Sequence, residues 1–185
     1  SMGRKIMGYL EPQEKELNPY NLRYLGNEEE LESWERKNLP EFFIAIGDNH
    51  IREKITIGNH PAINENLATI IHPLSYVSPT AQIGKGTMVA AQVAINAQAK
   101  IGKACICNTG SIIEHECQIG NFVHIAPGAT LCGNVEVGNG SLIGANAVVK
   151  PGISIGEKAI IGAGAVIVKP VPDHAIIIGN PQHSL

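Results

Sequence analysis

The stretch NTGSIIEHECQIGNFVHIAPGATLCGNVEVG, residues 108–138, repeats itself every six residues. Ile113, Ile119, Ile125, Leu131 and Val137 fall six apart, and four residues after each comes a small or β-branched side chain: Cys117, Val123, Ala129, Val135 and Ser141. The same rule runs from Val77 to Val171 without an insertion, and Cys107 is the only large-position residue that is not Val, Ile or Leu. A period of six fits neither a helix at 3.6 nor a hairpin array at 2. It fits a solenoid of short strands and sharp corners, with both the large and the small residue of each hexad pointing inward. The glycines that follow many large residues, such as Gly84, Gly102, Gly120 and Gly138, relieve the corners. If three hexads close one triangular coil, the fold is mainly β, a parallel β-helix of about five coils whose strands stack about 4.8 Å apart.

Ahead of the repeat the pattern changes. KIMGYL (5–10) reads as a buried strand and GNEEELESWERKNL (26–39) as a helix capped by Asn27. EFFIAIG (41–47) reads as an apolar strand, DNHIREKI (48–55) starts a second helix, and NLATIIHP (66–73) enters the solenoid. The alternation implies a small parallel α/β unit over residues 1–71, before a β-helix domain over residues 72–185. A unit this small is expected to pack on the first coil. The tail, VKPVPDHAIIIGNPQHSL, leaves the hexad phase after Val171 and its prolines suit a cap.

Composition excludes several functions. The formal net charge of −3 gives no footprint for nucleic acid or an anionic membrane surface. The longest apolar run, AIIGAGAVIV at 159–168, is too short to span a bilayer. No secretory signal is read at the N-terminus, so a cytoplasmic protein is expected. Cys105, Cys107, Cys117 and Cys132 have no metal-type spacing and read as reduced core residues. His50, His60, His174 and His183 read as solvated corner residues and His72 as structural.

Glu114-His115-Glu116 reads differently. It interrupts a repeat whose neighbouring corners hold Gly, Ala, Lys and Asn, and concentrating charge there costs free energy. The triplet suits general base catalysis, with a carboxylate fixing the tautomer of an imidazole and stabilising its protonated form. His124 follows nine residues later, half of an 18-residue coil, and so belongs on the opposite side of the prism. A site using both histidines must therefore lie between subunits, and a ring of three suits a triangular prism.

The hexads, the entrance IIHP–YVSPTAQIG, the NT-x-S-x-IEHE-x-x-IG-x-F-x-H segment and the closing GNP resemble the left-handed β-helix, hexapeptide-repeat acyltransferases. Within them the chain is similar to the sugar acetyltransferases of the PglD and NeuD type, acetyl-CoA-dependent homotrimers. The resemblance implies an acetyltransferase acting on the amino group of a nucleotide-linked amino sugar, a UDP-amino-sugar, by direct transfer and without a metal. It implies His115 as general base and Glu116 as the residue raising its basicity, with Glu114 the competing acid. It also implies His124, Gly133, Ala145 and Ala163 along acetyl-CoA, Gly133 as an oxyanion donor, and Asn108 in the acceptor pocket. Asp48 and Asn49 match the family's second nucleotide-contacting turn, and Glu11 stands near the end of an early strand. The first glycine-rich turn of the family's Rossmann-like unit has no counterpart, so the α/β unit reads as truncated. Competing readings are a sugar or sialic acid O-acetyltransferase, a γ-class carbonic anhydrase-like metalloenzyme needing three histidines on zinc, and a catalytically impaired solenoid.

Overall fold

A computed structural model of the chain describes residues 3, 5–34, 39–58 and 61–184. From Ile70 onward the backbone is a triangular prism of strands two residues long, three at Ile176–Ile178, joined by tight corners. The strands form three parallel faces, and partners within a face are 18 residues apart, as in His124 with Leu142 and Thr130 with Val148. The first face carries eight strands from Ile70–Ile71 to His183–Ser184. The second carries six, from Tyr76–Val77 to Val166–Ile167, and the third five, from Gln82–Ile83 to Ser154–Ile155. Five coils are thus complete, and a sixth is closed by the bridge between Ile155 and Val171.

The hexad rule is the core rule. Ile95, Ile113, Ile125, Leu131, Ile143, Ile161 and Ile167 have no exposed surface, nor do Ala99, Cys117, Ala129 and Ala147 at the small positions. Each such large side chain contributes about 1.5–3 kcal/mol by leaving water. Only the first coil is less covered, with Val77, Ala81 and Ile83 half-buried. One corner is also stitched from coil to coil by side-chain oxygens. Asn121 accepts from the Lys103 N–H at 2.9 Å, Asn139 from Asn121 at 2.7 Å and Asp173 from Glu157 at 2.7 Å. In the tail the partner of Ile160 is Ile176, two residues short of the regular spacing. The antiparallel strand His183–Ser184 then closes that face.

The N-terminal residues keep the expected helices better than the expected strands. Asn27 caps a 3-10 turn over Glu28–Ser33 rather than a full helix, and residues 35–38 of that expected helix lie outside the described residues. Asp48 caps helix α1, Asn49–Ile57, through a 2.8 Å bond from the Ile51 N–H, and a short helix α2 spans Pro61–Glu65. The two apolar runs give single parallel bridges only, Tyr9 with Tyr24 and Phe42 with Leu67, and Ile6 and Met7 are exposed. Leu31, Phe42, Ile63 and Leu67 make a small core of their own.

The unit meets the first coil, where Leu67 lies over Gly86 and Thr69 Oγ1 donates to Gly84 O at 3.3 Å, and it also reaches beyond it. Arg52 and Asn49 of α1 bond to Ala104, Phe122, Gly140 and Ser141, which lie along one corner of later coils. Polar bonds from α1 thus hold the unit along the flank of the prism as well. Among the described residues no helix is long and apolar enough to cross a membrane.

Candidate active site

His115 occupies the corner between the second and third faces, just after the strand Ile112–Ile113. Its Nδ1 meets Glu116 Oε2 at 3.0 Å, with both side chains more than half exposed. Glu116, not Glu114, is therefore the carboxylate on the ring. Glu116 sits at φ 62°, the left-handed corner geometry that Gln98 and Asn134 also adopt one coil to either side. A proton on Nδ1 faces the carboxylate and leaves the Nε2 lone pair open, the arrangement of an oriented general base. Gly133 lies one coil above. A β-carbon there would stand 2.6 Å from His115 Nε2 and Cε1, so glycine leaves the space the ring fills. Among the described residues nothing accepts from the Gly133 N–H.

His124 begins the strand His124–Ile125 on the first face. Its Nε2 lies 3.3 Å from Asn108 Nδ2, which can only donate, so Nε2 accepts and the proton sits on Nδ1. Burial, and then the Arg52 charge, hold the His124 pKa below its ordinary value, with the backbone at Gly47 opposing them. Asn108 follows the strand Ile106–Cys107, at the corner between the first and second faces, and Ala145 and Ala163 occupy the same corner on higher coils.

The sequence-derived residues therefore fall into two groups. His115, Glu116 and Gly133 line one corner, while Asn108, His124, Ala145 and Ala163 gather at another, with Gly47 of the N-terminal unit against His124. The second face lies between them. Its outward row reads Tyr76, Ala94, Ile112, Thr130, Val148 and Val166, with Ile112 and Val148 each 37% exposed. The outward row of the third face is polar instead: Gln82, Lys100, Gln118, Glu136 and Ser154. Glu11 joins neither group, its carboxylate meeting Lys15 Nζ at 3.5 Å. Asp48 is spent on capping α1, and the Asn49 amide donates to Gly140 O at 2.9 Å and Ser141 O at 3.1 Å.

Comparison with known proteins fits this geometry. A profile for the PglD N-terminal domain matches residues 1–57, and one for the bacterial transferase hexapeptide (six repeats) matches 134–169. PerB from Caulobacter crescentus, solved with CoA and GDP-perosamine, is 37% identical with a TM-score of 0.84, covering 90% of this chain and 80% of that one. The acetyltransferase domain of PglB from Neisseria gonorrhoeae, solved with acetyl coenzyme A, is 32% identical with a TM-score of 0.87, covering 96% of this chain and 85% of that one. An uncharacterised protein of Acanthamoeba polyphaga mimivirus, L142, is 47% identical over 58 residues, 30% of this chain but 11% of the viral one.

The chain belongs to the PglD-like left-handed β-helix acetyltransferases.

Family membership supplies the left hand of the coil, which a hexad pattern does not contain. It also removes the γ-carbonic anhydrase reading. Among the described residues no three His, Cys, Asp or Glu side chains gather as a metal-binding set. The cysteines sit as expected for core residues. Cys105, Cys107 and Cys117 are buried and Cys132 is half-buried. Burial pushes the Cys105 thiol up to about 11 and raises Cys107 and Cys117 as well. A buried thiol kept protonated is no nucleophile. His72 is structural, its Nδ1 accepting from the Leu74 N–H at 3.1 Å, and His50, His174 and His183 are exposed. His60 lies outside the described residues.

One residue of consequence was missed by the sequence reading. Arg52 is 1% exposed and bonds across to the prism. The available signal was the i, i+3, i+7 spacing of Asn49, Arg52 and Thr56, which gives one face of α1 a polar stripe.

Proposed function

We propose that this chain is an acetyl-CoA-dependent N-acetyltransferase acting on the amino group of a nucleotide-linked amino sugar. The observation that carries the reading is the split of the site between two corners flanking an apolar face. In a ring of three prisms with the second faces turned to the axis, the His115 corner of one subunit meets the His124 corner of the next. Three complete sites then form between subunits. PerB, with its CoA and GDP-linked sugar, supports the substrate class, and PglB, with acetyl coenzyme A, supports the donor.

In this reading His115 Nε2 takes a proton from the acceptor amine as its nitrogen attacks the thioester carbon. Glu116 keeps the proton on Nδ1 and stabilises the imidazolium. The Gly133 N–H meets the oxygen that becomes negative as the carbon turns tetrahedral. The C–S bond then breaks, and the imidazolium returns its proton to the CoA thiolate. Transfer is direct, and the buried thiols take no part. His124, Ala145 and Ala163 flank the cofactor and Asn108 the acceptor. Residues 1–71 form the nucleotide-sugar unit, through Glu11 and the Gly47–Asn49 turn. The enzyme works in the cytoplasm, where acetyl-CoA is at hand.

The test is CoA release from acetyl-CoA, followed with a thiol reagent, against UDP- and GDP-linked amino sugars. Release that requires both sugar and His115 supports the reading. A wild-type protein that binds acetyl-CoA yet releases no CoA with either sugar contradicts the assigned acceptor.

A further inference from the structure

A groove of about 400 Å³ runs down the third face beside the candidate base, and Glu116 forms one of its walls. That volume falls within the roughly 300–1,000 Å³ of small-molecule sites. Gln82, Gln98, Gln118 and Asn134 line it with side-chain amides, Thr80 stands at its foot, and Lys100 is the one cationic residue among them. Gln118 Nε2 donates to Glu116 O at 3.2 Å, which orients the amide and leaves its Oε1 to accept. Among the described residues the side chains of Gln82, Gln98, Lys100 and Asn134 make no hydrogen bond or ion pair.

The backbone sets this groove apart from ordinary polar surface. Gln98, Glu116 and Asn134 hold the same corner place on successive coils, at φ 61°, 62° and 58°. That left-handed region suits glycine, and a glutamine or glutamate there costs free energy. One coil higher, outside the groove, glycine does take the place, at Gly152 with φ 70°. Side chains are thus kept on an unfavourable backbone where they line the groove beside His115. Strain of this kind gathers at functional sites.

Height along the prism decides the occupant. Gly133, Ala145 and Ala163, the positions proposed for acetyl-CoA, lie above His115, whereas three of the groove's four rungs stand at its level or below. An amide both donates and accepts, which matches a hydroxyl, and an unpaired ammonium matches a phosphate. A second hollow of about 470 Å³ continues up the same face, but Glu136 and Glu157 line it and Glu116 does not. Its carboxylates would repel a phosphate.

We infer that the groove beside Glu116 is the sugar subsite: the amides of Gln98, Gln118 and Asn134 hold ring hydroxyls of the acceptor, and Lys100 meets the phosphate that links the sugar to its nucleotide. The assignment rests on the acetyltransferase reading, since it gives that reading's acceptor its place.

The experiment uses the full-length protein with Gln98→Gly and Asn134→Gly, which remove an amide and give the corner the residue its backbone favours. Lys158→Gly, at φ 51° on the corner between the third and first faces, is the control outside the groove. Binding of UDP- and GDP-linked amino sugars is measured by calorimetry without acetyl-CoA, alongside KM for both substrates and melting temperature. For whichever sugar the wild type binds, both groove variants should weaken binding and raise acceptor KM at least tenfold. Their acetyl-CoA KM should change less, and their melting temperature should hold or rise. Lys100→Gln should weaken sugar binding and flatten its dependence on salt. Groove variants that bind the sugar as tightly as wild type and Lys158→Gly overturn the subsite and leave the acetyltransferase reading intact. A wild type that binds acetyl-CoA but neither sugar sinks the acceptor reading, and the subsite falls with it.

Discussion

Gly133 and His115 are set so close that a β-carbon on the glycine would stand 2.6 Å from the imidazole Nε2. The ring is thus held between Glu116, 3.0 Å from Nδ1, and the backbone of the next coil. Gly133 is not one of the positive-φ glycines, so alanine strains nothing in the backbone itself and acts only by displacing the ring. Gly133→Ala should lower kcat at least tenfold while moving the melting temperature little, since misplacing a base by about 1 Å costs roughly a hundredfold. Wild-type turnover in a folded Gly133→Ala protein would contradict that packing.

The apolar row on the second face predicts its own behaviour. Ile112 and Val148 point outward from their strands while Ile113 and Val149 fill the core. Ile112→Glu and Val148→Glu should leave the circular dichroism of the prism unchanged and break the oligomer. Sedimentation should report a smaller species and CoA release should fall with it. A double variant that sediments like the wild type would show that this face is not where copies meet.

Thiol chemistry tests the core. With Cys105, Cys107 and Cys117 buried and their thiols raised by burial, only the half-buried Cys132 should react readily with a maleimide at pH 8. Intact mass should show one label on the native protein and four after denaturation. Two or more rapid labels on the native chain would mean the coils are looser than described.

The pH dependence of stability follows from His124. Burial first, and then the Arg52 charge, lower its pKa in the folded state. Above about pH 6.5 neither folded nor unfolded ring is protonated and the contribution is complete. Below that pH the unfolded chain takes up the proton first, so stability is lost as pH falls towards the lowered folded value. Wild type should therefore lose more melting temperature between pH 7 and pH 5 than His124→Gln, and equal losses would refute the assignment.

The prism was legible from sequence because its core has one rule. A large and a small inward residue every six positions leaves no other period to satisfy, and Val77 to Val171 obey it. The candidate corner stood out because Glu114-His115-Glu116 puts charge where the neighbouring corners hold small or uncharged residues, while Ile113 and Cys117 keep the core rule. The N-terminal unit was less legible because its apolar runs have few partners. KIMGYL looks like a strand, yet only Tyr9 bridges and Ile6 and Met7 face solvent. Helix α1 inverts the usual logic, burying Arg52 and Thr56 while Ile51 and Ile57 are exposed. A burial rule based on hydropathy alone puts the wrong face of that helix on the prism.

The measurement that bears most directly on the shared site is complementation. His115→Ala and His124→Ala homo-oligomers, each inactive, are unfolded, mixed in equal amounts and refolded together, then assayed for CoA release. A site drawing His115 from one subunit and His124 from its neighbour should recover about a quarter of wild-type activity under random assembly. If each site lies within one chain, no mixed oligomer contains an intact pair, and the mixture should stay as inactive as its parents.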